Sequence, residues 1–373
     1  MTVYREAISQ VTVPLARRDL ARMIRLMRLL SRLSENAAYH ELVAPLVPDV
    51  ARFDPGHHAV MMGYDFHLTP QGPRLIEVNT NAGGALLAYL AHFPEAAIAR
   101  AGLAERLRHQ FLAAFAEEMR RFSGGKRQKP AHIVIVDEDP RNQYLYREMV
   151  VFTELFSRWE VPSTIADPSA LVAGPEGVSV DGEPVDLIYN RHCDFYLERP
   201  EMAGIRAAYR AGTVCLTPNP FAYGLLADKR RMTLWSDPEV TGRLGLDQRD
   251  ADLLRETVPQ SRLLADLDRE EIWRGRNGWV FKPVSRFGSR GVFLGRKISR
   301  TRFESLPAGE TLVQRFVSPS VVGTADAAMK ADFRLYVYRN RVLGISARLY
   351  QGQVTNLRTA GGGFAAVQVV ENT

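Results

Sequence analysis

The chain has 373 residues, which is enough for two or three domains of ordinary size and too long for a single small module. Hydrophobic residues make up 46% of the chain and charged residues 24%, which is typical of a folded globular protein and excludes a largely disordered or collagen-like one. The net charge of +6 favours anionic partners weakly, without distinguishing nucleotides and acidic metabolites from nucleic acid.

Compartment and membrane signals are few. Two cysteines, Cys193 and Cys215, cannot build a disulfide framework in a chain of this length, so we expect a reducing, cytoplasmic compartment. The N-terminal segment carries Glu6 and has no long apolar run, so it does not match a secretory signal. The most apolar window, 82–104, is interrupted by charged residues and Pro94, so we expect a soluble protein without a spanning helix.

The first element in the chain is a helix over residues 15–33, where apolar residues recur at helical spacing with six arginines between them. Such a helix is typical of a protein surface or a dimer interface, and a membrane surface or a nucleic acid would be alternative partners for its basic face. We assign residues 1–58 to an N-terminal helical cap.

Two short apolar segments, 59–68 and 74–78, flank a turn rich in proline and glycine, and they predict a β-hairpin. Because side chains alternate along a strand, Glu77 and Asn79 share a face, and Asp65 can lie across from them. Two carboxylates and an amide oxygen suit Mg²⁺. A solvated strand face is the alternative interpretation.

A helical stretch from 85 to 122, interrupted near Pro94, ends at the glycine- and lysine-rich segment 123–130. Strand-like segments then alternate with a helical one, which predicts a small parallel α/β unit; the segments are 132–136, 141–159, 185–189 and 213–216. The predicted domains are 1–58, 59–125, 126–218 and 219–373.

The last part of the chain combines helices with strands of antiparallel character. Lys282 follows an apolar strand and precedes a loop with Gly288, Ser289 and Gly291, a pattern that can surround phosphates with one ammonium and several N–H groups. A plain hairpin is the alternative. Lys229 follows Asp228 at a predicted helix start, where the sequence by itself favours a solvated surface lysine.

The C-terminal segment carries Arg334, Arg348 and Arg358 on or between predicted strands, and three glycines follow at 361–363. Arginines suit carboxylates and phosphates because their forked donors pair bidentately. Three consecutive glycines favour a mobile flap that closes over a ligand.

Taken together, these motifs resemble the ATP-grasp superfamily, and their order resembles that of the permuted, eukaryotic-type glutathione synthetases. The hairpin at 74–79 precedes the phosphate-loop lysine by about 200 residues, as it does in the permuted branch. The other matching segments are VDEDPRNQYLYRE (136–148), DLIYNRHCDFY (186–196), LADKR (226–230), FKP (281–283), LVQRFV (312–317) and TNLRTAGGG (355–363). The likeness runs from about residue 60 to the end of the chain.

The resemblance implies a circularly permuted ATP-grasp fold of the α/β (α+β) class, with a small parallel α/β substrate-binding domain. It also implies ATP as the nucleotide and Mg²⁺ as the metal ion. Lys229 and Lys282 would contact the α- and β-phosphates. The loop containing Ser285, Gly288, Ser289 and Gly291 would cover the γ-phosphate, and backbone groups of Gln314, Arg315 and Val317 would bind adenine.

The same resemblance gives the remaining site residues. Asp65, Glu77 and Asn79 would bind Mg²⁺, with Asp332 as an alternative to Asp65. Arg348, Arg358 and Lys282 would be catalytic, and substrate would be bound by Asn142, Arg191, Arg358, Gly361 and Gly362.

The implied activity is that of a carboxylate–amine ligase, in which ATP phosphorylates a carboxylate and an amine attacks the acyl phosphate. The partners would be small carboxylate and amine substrates, without nucleic acid or membrane, and a homodimer is possible. An ATP-binding regulator or a small-molecule kinase on the same fold is the alternative. The chain departs from the glutathione synthetases at Arg286, at Gly63 and at 81–83, where those enzymes have a metal-binding glutamate, a substrate-binding arginine and serines, respectively, so glutathione itself is not the implied product.

Overall fold

The computed structural model describes residues 7–93, 105–285, 291–323, 328–353, 359 and 361–371. The strands, in chain order, are β1 (Ile8–Ala16), β2 (Met62–Thr69), β3 (Gly72–Asn79), β4 (Ile133–Val136), β5 (Ser163–Ala166), β6 (Leu171–Gly174), β7 (Gly177–Val180), β8 (Glu183–Pro184), β9 (Leu187–Asn190), β10 (Cys215–Thr217), β11 (Ser261–Leu263), β12 (Trp279–Pro283), β13 (Phe293–Leu294), β14 (Thr311–Arg315), β15 (Ser320–Val322), β16 (Met329–Tyr338), β17 (Arg341–Tyr350) and β18 (Gly363–Val370).

The α-helices are α1 (Arg17–Leu33), α2 (Ala37–Val43), α3 (Ala85–His92), α4 (Glu105–Phe122), α5 (Tyr146–Arg158), α6 (Ala203–Ala211), α7 (Pro220–Ala222), α8 (Arg231–Trp235), α9 (Pro238–Gly242), α10 (Gln248–Thr257), α11 (Arg269–Arg274) and α12 (Arg300–Glu304). A π-helical turn, Tyr223–Ala227, continues α7. Among the described helices, none combines the length and the apolar composition that crossing a bilayer requires.

The largest sheet has the strand order β1-β18-β17-β16-β2-β3, and β15 also pairs with β16. Its pairs are antiparallel except that of β1 with β18, which is parallel. The sequence prediction of a helical cap did not include β1. The alternation of buried Val13 and Leu15 with exposed Thr12 and Pro14 carries the strand signal, but it is short and contains a proline.

The predicted basic helix is confirmed as α1, although it begins at Arg17 rather than Leu15. Its apolar face, including Met23, Leu26 and Leu30, is fully buried in the core. Its arginines meet acids of the same chain: Arg17 pairs with Glu371 at 2.8 Å, Arg32 with Asp250 at 2.5 Å, and Arg22 with Glu256. The helix therefore covers the sheet and also joins it to α10.

The predicted hairpin is confirmed as β2 and β3. Its turn places Gly72 at a φ of 108°, a value that favours glycine. The register sets Asp65 opposite Glu77 and Gly63 opposite Asn79, so the polar side chains meet on one face as expected. This hairpin forms one edge of the largest sheet, the central sheet of the protein, next to β16.

Two smaller sheets complete the frame of the site. The order β10-β9-β4-β5, with all pairs parallel, confirms the predicted parallel α/β unit. The order β11-β14-β12-β13 forms an antiparallel sheet that carries Lys282. The carboxylate of Glu148 in α5 accepts hydrogen bonds from the N–H groups of Gly84 at 2.8 Å and Leu86 at 3.0 Å, so it ties the parallel unit to the segment that follows the hairpin.

Candidate functional site

A cleft that is open to solvent lies between the central sheet and the small antiparallel sheet. Strands β2, β3, β16 and β17 contribute to one wall, and β12, β13 and β14 contribute to the other. The cleft brings together many of the predicted site residues, which are distant in the sequence: Asp65, Glu77, Asn79, Lys229, Lys282, Gln314, Arg315, Val317 and Arg348.

Lys282 joins the two walls. Its Nζ donates to the carbonyl oxygen of Ile76 at 3.1 Å and to Oε1 of Gln314 at 2.6 Å. Burial lowers the pKa of Lys282 to about 8, with Lys229 acting in the same direction and Glu77 opposing it. The lysine from the late strand therefore lies beside the early hairpin, in contact with the residue that precedes Glu77.

Lys229 lines the cleft, next to a residue whose side chain is hydrogen-bonded on both sides. A π-helical turn ends at Ala227, two residues before Lys229, and such turns occur frequently at functional sites. The next residue, the buried Asp228, accepts hydrogen bonds from the hydroxyl of Tyr196 at 2.7 Å and the backbone N–H of Arg230 at 2.9 Å. The backbone on both sides of Lys229 is thereby fixed.

Asp65 is held by two arginines. Its Oδ1 accepts from Nε of Arg334 at 2.6 Å, and its Oδ2 accepts from Nη2 of Arg334 at 2.6 Å and from Nη2 of Arg348 at 2.8 Å. Burial alone would raise the pKa of the Asp65 carboxyl, but the two guanidinium groups hold it well below its usual range. This arrangement argues against the predicted role of Asp65 as a metal ligand, because both of its oxygens already serve as anchors for arginines.

Arg348 also pairs with Asp332: Nε of Arg348 donates a hydrogen bond to Oδ1 of Asp332 at 2.5 Å. The sequence predicted Arg334 and Arg348 as ligand-binding residues, but it did not predict their ion pairs with Asp65. The strand pattern contains part of this signal, since Asp332 and Arg334 alternate with apolar residues on β16 and therefore share a face. The partner strand, β2, is more than 250 residues away in the sequence.

The residues that fit a metal ion are Glu77 and Asn79 of β3, with Asp332 on the same cleft. Nδ2 of Asn79 donates to Oε1 of Glu77 at 3.2 Å, which leaves the amide oxygen of Asn79 for another contact. Carboxylate and amide oxygens are the donors that Mg²⁺ prefers, and it usually retains waters. Within the described residues, no cluster of three or more His, Cys, Asp or Glu side chains could hold a metal ion.

We expect the substitution Asp65→Asn to reduce stability, because it would leave two buried guanidinium groups without their shared carboxylate. Breaking a buried ion pair from one side costs about 3–5 kcal/mol, and chemical denaturation would measure the loss. The matched control is Asp49→Asn, which removes an exposed partner of Arg52 and should cost about 1 kcal/mol or less. Unchanged stability combined with a weaker response to Mg²⁺ would instead restore Asp65 as a metal ligand.

The predicted phosphate loop lies only partly within the described residues. Ser285 is exposed, two residues after the end of β12, and Gly291, two residues before β13, has a φ of 75°, a value that favours glycine. Gly288 and Ser289 lie outside the described residues. Val292 and Leu294, which follow the loop, line the cleft together with Val280 and give this end an apolar wall.

The hinge that the sequence predicts for adenine, residues 312–317, includes most of β14 and the two residues that follow it. The side chain of Gln314 is buried between Lys282 and Ser261, so it positions the lysine. The N–H groups of Arg315 and Phe316 donate to Gln260 and Gly278, both at 2.8 Å.

The end of the hinge is held by the histidine of β2, because the carbonyl oxygen of Val317 accepts from Nδ1 of His67 at 2.9 Å. No described residue hydrogen-bonds to the peptide that joins Phe316 to Val317. Since the carbonyl and the N–H of one peptide point in opposite directions, one of them can face a base in the cleft.

Arg191 lies beside the cleft, not on its wall. It follows β9, at the carboxyl edge of the parallel sheet, and its Nη1 donates to the carbonyl oxygen of Asn81 at 3.2 Å and to the hydroxyl of Tyr189 at 3.3 Å. Burial would lower the pKa of Arg191, but Tyr189, Glu148 and Asp137 hold it above its ordinary value. A Cβ at Gly83 would come within 2.5 Å of Nη2 of Arg191, so the segment after the hairpin packs directly on this guanidinium.

The remaining predicted substrate residues are dispersed. Asn142 is exposed, and its Nδ2 donates to Asp139 at 2.7 Å, so the structure does not bring it to the cleft. Gly361 and Gly362 form the turn into β18, where the carbonyl of Gly361 accepts from Ser9 at 3.0 Å. Arg358 and the flap residues 355–357 and 360 lie outside the described residues.

Comparison with solved structures supports this architecture. A glutathione synthetase-like effector from Globodera pallida, solved in the apo form, covers 97% of this chain and 90% of its own length, with 11% identity and a TM-score of 0.61. A putative γ-glutamylcysteine synthetase from Methylobacillus flagellatus covers 90% of this chain and 84% of its own length, with 10% identity and a TM-score of 0.51. No protein-family model and no curated protein sequence matches the chain.

The chain therefore has a mixed α/β fold of the ATP-grasp type. It shares this fold over nearly its whole length with the first of these structures. The circular permutation implied by the motif order stays a prediction.

Proposed function

We propose that the protein is an ATP- and Mg²⁺-dependent carboxylate–amine ligase that joins small amino-acid or peptide substrates through an acyl phosphate. The observation that carries the proposal is the contact of Lys282 with the carbonyl of Ile76, beside Glu77, in the cleft that also contains Lys229. Cations on one side and oxygen ligands on the other are the groups that a metal–triphosphate complex requires.

The roles of the residues in this proposal follow from their positions. Lys229 and Lys282 would pair with phosphate oxygens, and Glu77, Asn79 and Asp332 would hold the metal. Mg²⁺ would neutralise charge on the phosphates. Arg348, held by two carboxylates, presents a rigid donor group at the same end of the cleft, where it can orient a phosphoryl or carboxylate oxygen. The base would pack on the apolar wall that contains Val280 and Leu294.

The acid substrate would bind toward Arg191, at the carboxyl edge of the parallel sheet, which is the edge where open α/β sheets bind ligands. An arginine at position 63, which the glutathione synthetases have, would not fit the space here. A Cβ at Gly63 would lie 2.8 Å from Cβ of Ala82 and 3.0 Å from Nε of Arg334. Arg334 fills this region, and the difference supports an acid other than γ-glutamylcysteine.

The test is an assay of ADP release from Mg²⁺–ATP with a panel of amino acids, dipeptides and thiol peptides, with products identified by mass spectrometry. We expect one acid–amine pair to stimulate ADP release and to yield an amide. ADP release with a phosphorylated product and no amide would indicate a kinase. ATP binding that no substrate pair converts to turnover would indicate a nucleotide-binding regulator.

A further inference from the structure

His67 lies in the cleft, but the motifs of the sequence do not give it a role. It is on β2, two residues after Asp65, and it lines the cleft together with Glu77 and Lys282. The register of β2 with β16 pairs Phe66 with Phe333, so His67 and Asp332 come next on these neighbouring strands. One side of His67 therefore faces the end of the cleft that contains Asp332, one of the residues that would hold the metal ion.

The other side of the ring contacts the hinge. Nδ1 of His67 lies 2.9 Å from the carbonyl oxygen of Val317. A carbonyl oxygen can only accept a hydrogen bond, so Nδ1 carries the proton and donates it. In the neutral ring, Nε2 then has a lone pair and is an acceptor. No described residue hydrogen-bonds to this Nε2.

The position of His67 defines which part of a nucleotide it would meet. If the base lies at the hinge and the triphosphate lies between Lys282 and Glu77, the sugar spans the interval between them. His67 contacts the last residue of the hinge and adjoins Asp332. It therefore lies between the position of the base and that of the triphosphate, where the sugar would be. The hydroxyl groups are the only hydrogen-bond donors of the sugar, since its ring oxygen and its ester oxygen can only accept.

We propose that His67 binds the sugar of the nucleotide. Its Nε2 accepts a hydrogen bond from a ribose hydroxyl, so that the cleft prefers a ribonucleotide to a deoxyribonucleotide. This inference rests on the proposed nucleotide-binding function and adds a specificity-determining residue to it. One neutral hydrogen bond contributes about 0.5–1.5 kcal/mol, which corresponds to a preference of about 2- to 12-fold.

The experiment compares the equilibrium binding of ATP, 2′-deoxyATP and 3′-deoxyATP in the presence of Mg²⁺ at pH 8, where an imidazole of ordinary pKa is neutral. We expect the wild-type protein to bind ATP about 2- to 12-fold more tightly than at least one of the deoxy analogues. The substitution His67→Asn keeps an N–H donor near the position of Nδ1 and removes the Nε2 acceptor. We expect it to weaken ATP binding by the same factor and to abolish the preference.

Two further variants make the comparison specific. His67→Gln keeps an acceptor near the position of Nε2 and should retain the preference. His132→Asn is the matched control, because Nδ1 of His132 also contacts a carbonyl, that of Pro184 at 3.3 Å, far from the cleft in the parallel unit; it should leave all three affinities unchanged. Circular dichroism and thermal unfolding confirm that each variant is folded.

The outcomes separate this inference from the function on which it rests. Wild-type protein that binds ATP and both deoxy analogues equally overturns the role of His67 but leaves the nucleotide site intact. The same conclusion follows if His67→Asn keeps the preference, or if folded His67→Gln loses it. Wild-type protein that binds none of the three nucleotides overturns the proposed function itself.

Discussion

Replacing Lys282 with methionine is expected to lower kcat/KM for ATP by about 10²- to 10³-fold, the usual cost of removing one preorganised donor from a charged transition state. Methionine keeps the apolar stem of the side chain, and the substitution removes a buried cation, so we expect the protein to stay folded. Steady-state kinetics with the best acid–amine pair would measure the loss, and circular dichroism would check the fold.

The matched control for Lys282→Met is Lys129→Met. Lys129 is an exposed lysine in the segment before the parallel unit, where its Nζ contacts Glu160 at 3.2 Å. This variant should have wild-type kinetics. Equal activity in the two variants would mean that Lys282 is a structural lysine whose role is to join Ile76 to Gln314.

The pKa of Lys282 adds a second readout to the same prediction. Because burial lowers this pKa to about 8, the side chain is cationic below pH 8 and loses its charge above it. The pH dependence of kcat/KM reports groups of the free enzyme, so we expect kcat/KM for ATP to fall as the pH rises through about 8. In Lys282→Arg, whatever activity remains should lack this alkaline decline, since a guanidinium does not titrate in this range.

The hairpin illustrates which parts of the fold the sequence predicts. Its turn, its two apolar segments and its polar face are all encoded within residues 59–79, and the structure reproduces them with Asp65 opposite Glu77. The parallel unit was predictable for a similar reason, since its buried strands are short β-branched runs separated by helical periodicity. Local patterns are sufficient when the strands that pair are close in the sequence or uniform in character.

The candidate site depends instead on contacts between distant segments. The ion pairs of Asp65 with Arg334 and Arg348 join residues more than 250 positions apart. Spacing cannot show that these arginines occupy the carboxylate that the hairpin offers, so Asp65 was predicted as a metal ligand. The pairing of β1 with β18 also joins the two ends of the chain, and the short alternation in β1 does not reveal its partner.

Glu77 is the residue whose charge we expect the metal to require most. The substitution Glu77→Gln preserves the size of the side chain and removes its charge, and we expect the Mg²⁺ concentration for half-maximal activity to rise by about 10- to 100-fold. Changes to the outer partners of metal sites already have effects of this size. Titration of activity with Mg²⁺ at saturating ATP would measure the shift, and Glu239→Gln, at an exposed position of α9, is the matched control.

Glu77→Gln should also change the behaviour of Lys282, which distinguishes a residue at the site from a remote one. The negative charge of Glu77 opposes the lowering of the Lys282 pKa, so its removal should lower that pKa further below 8. The alkaline decline in kcat/KM for ATP should therefore begin at a lower pH in Glu77→Gln than in the wild type. A weaker response to Mg²⁺ without this displacement would mean that Glu77 and Lys282 do not share one site, because a carboxylate beside an ammonium must affect the pKa of that ammonium.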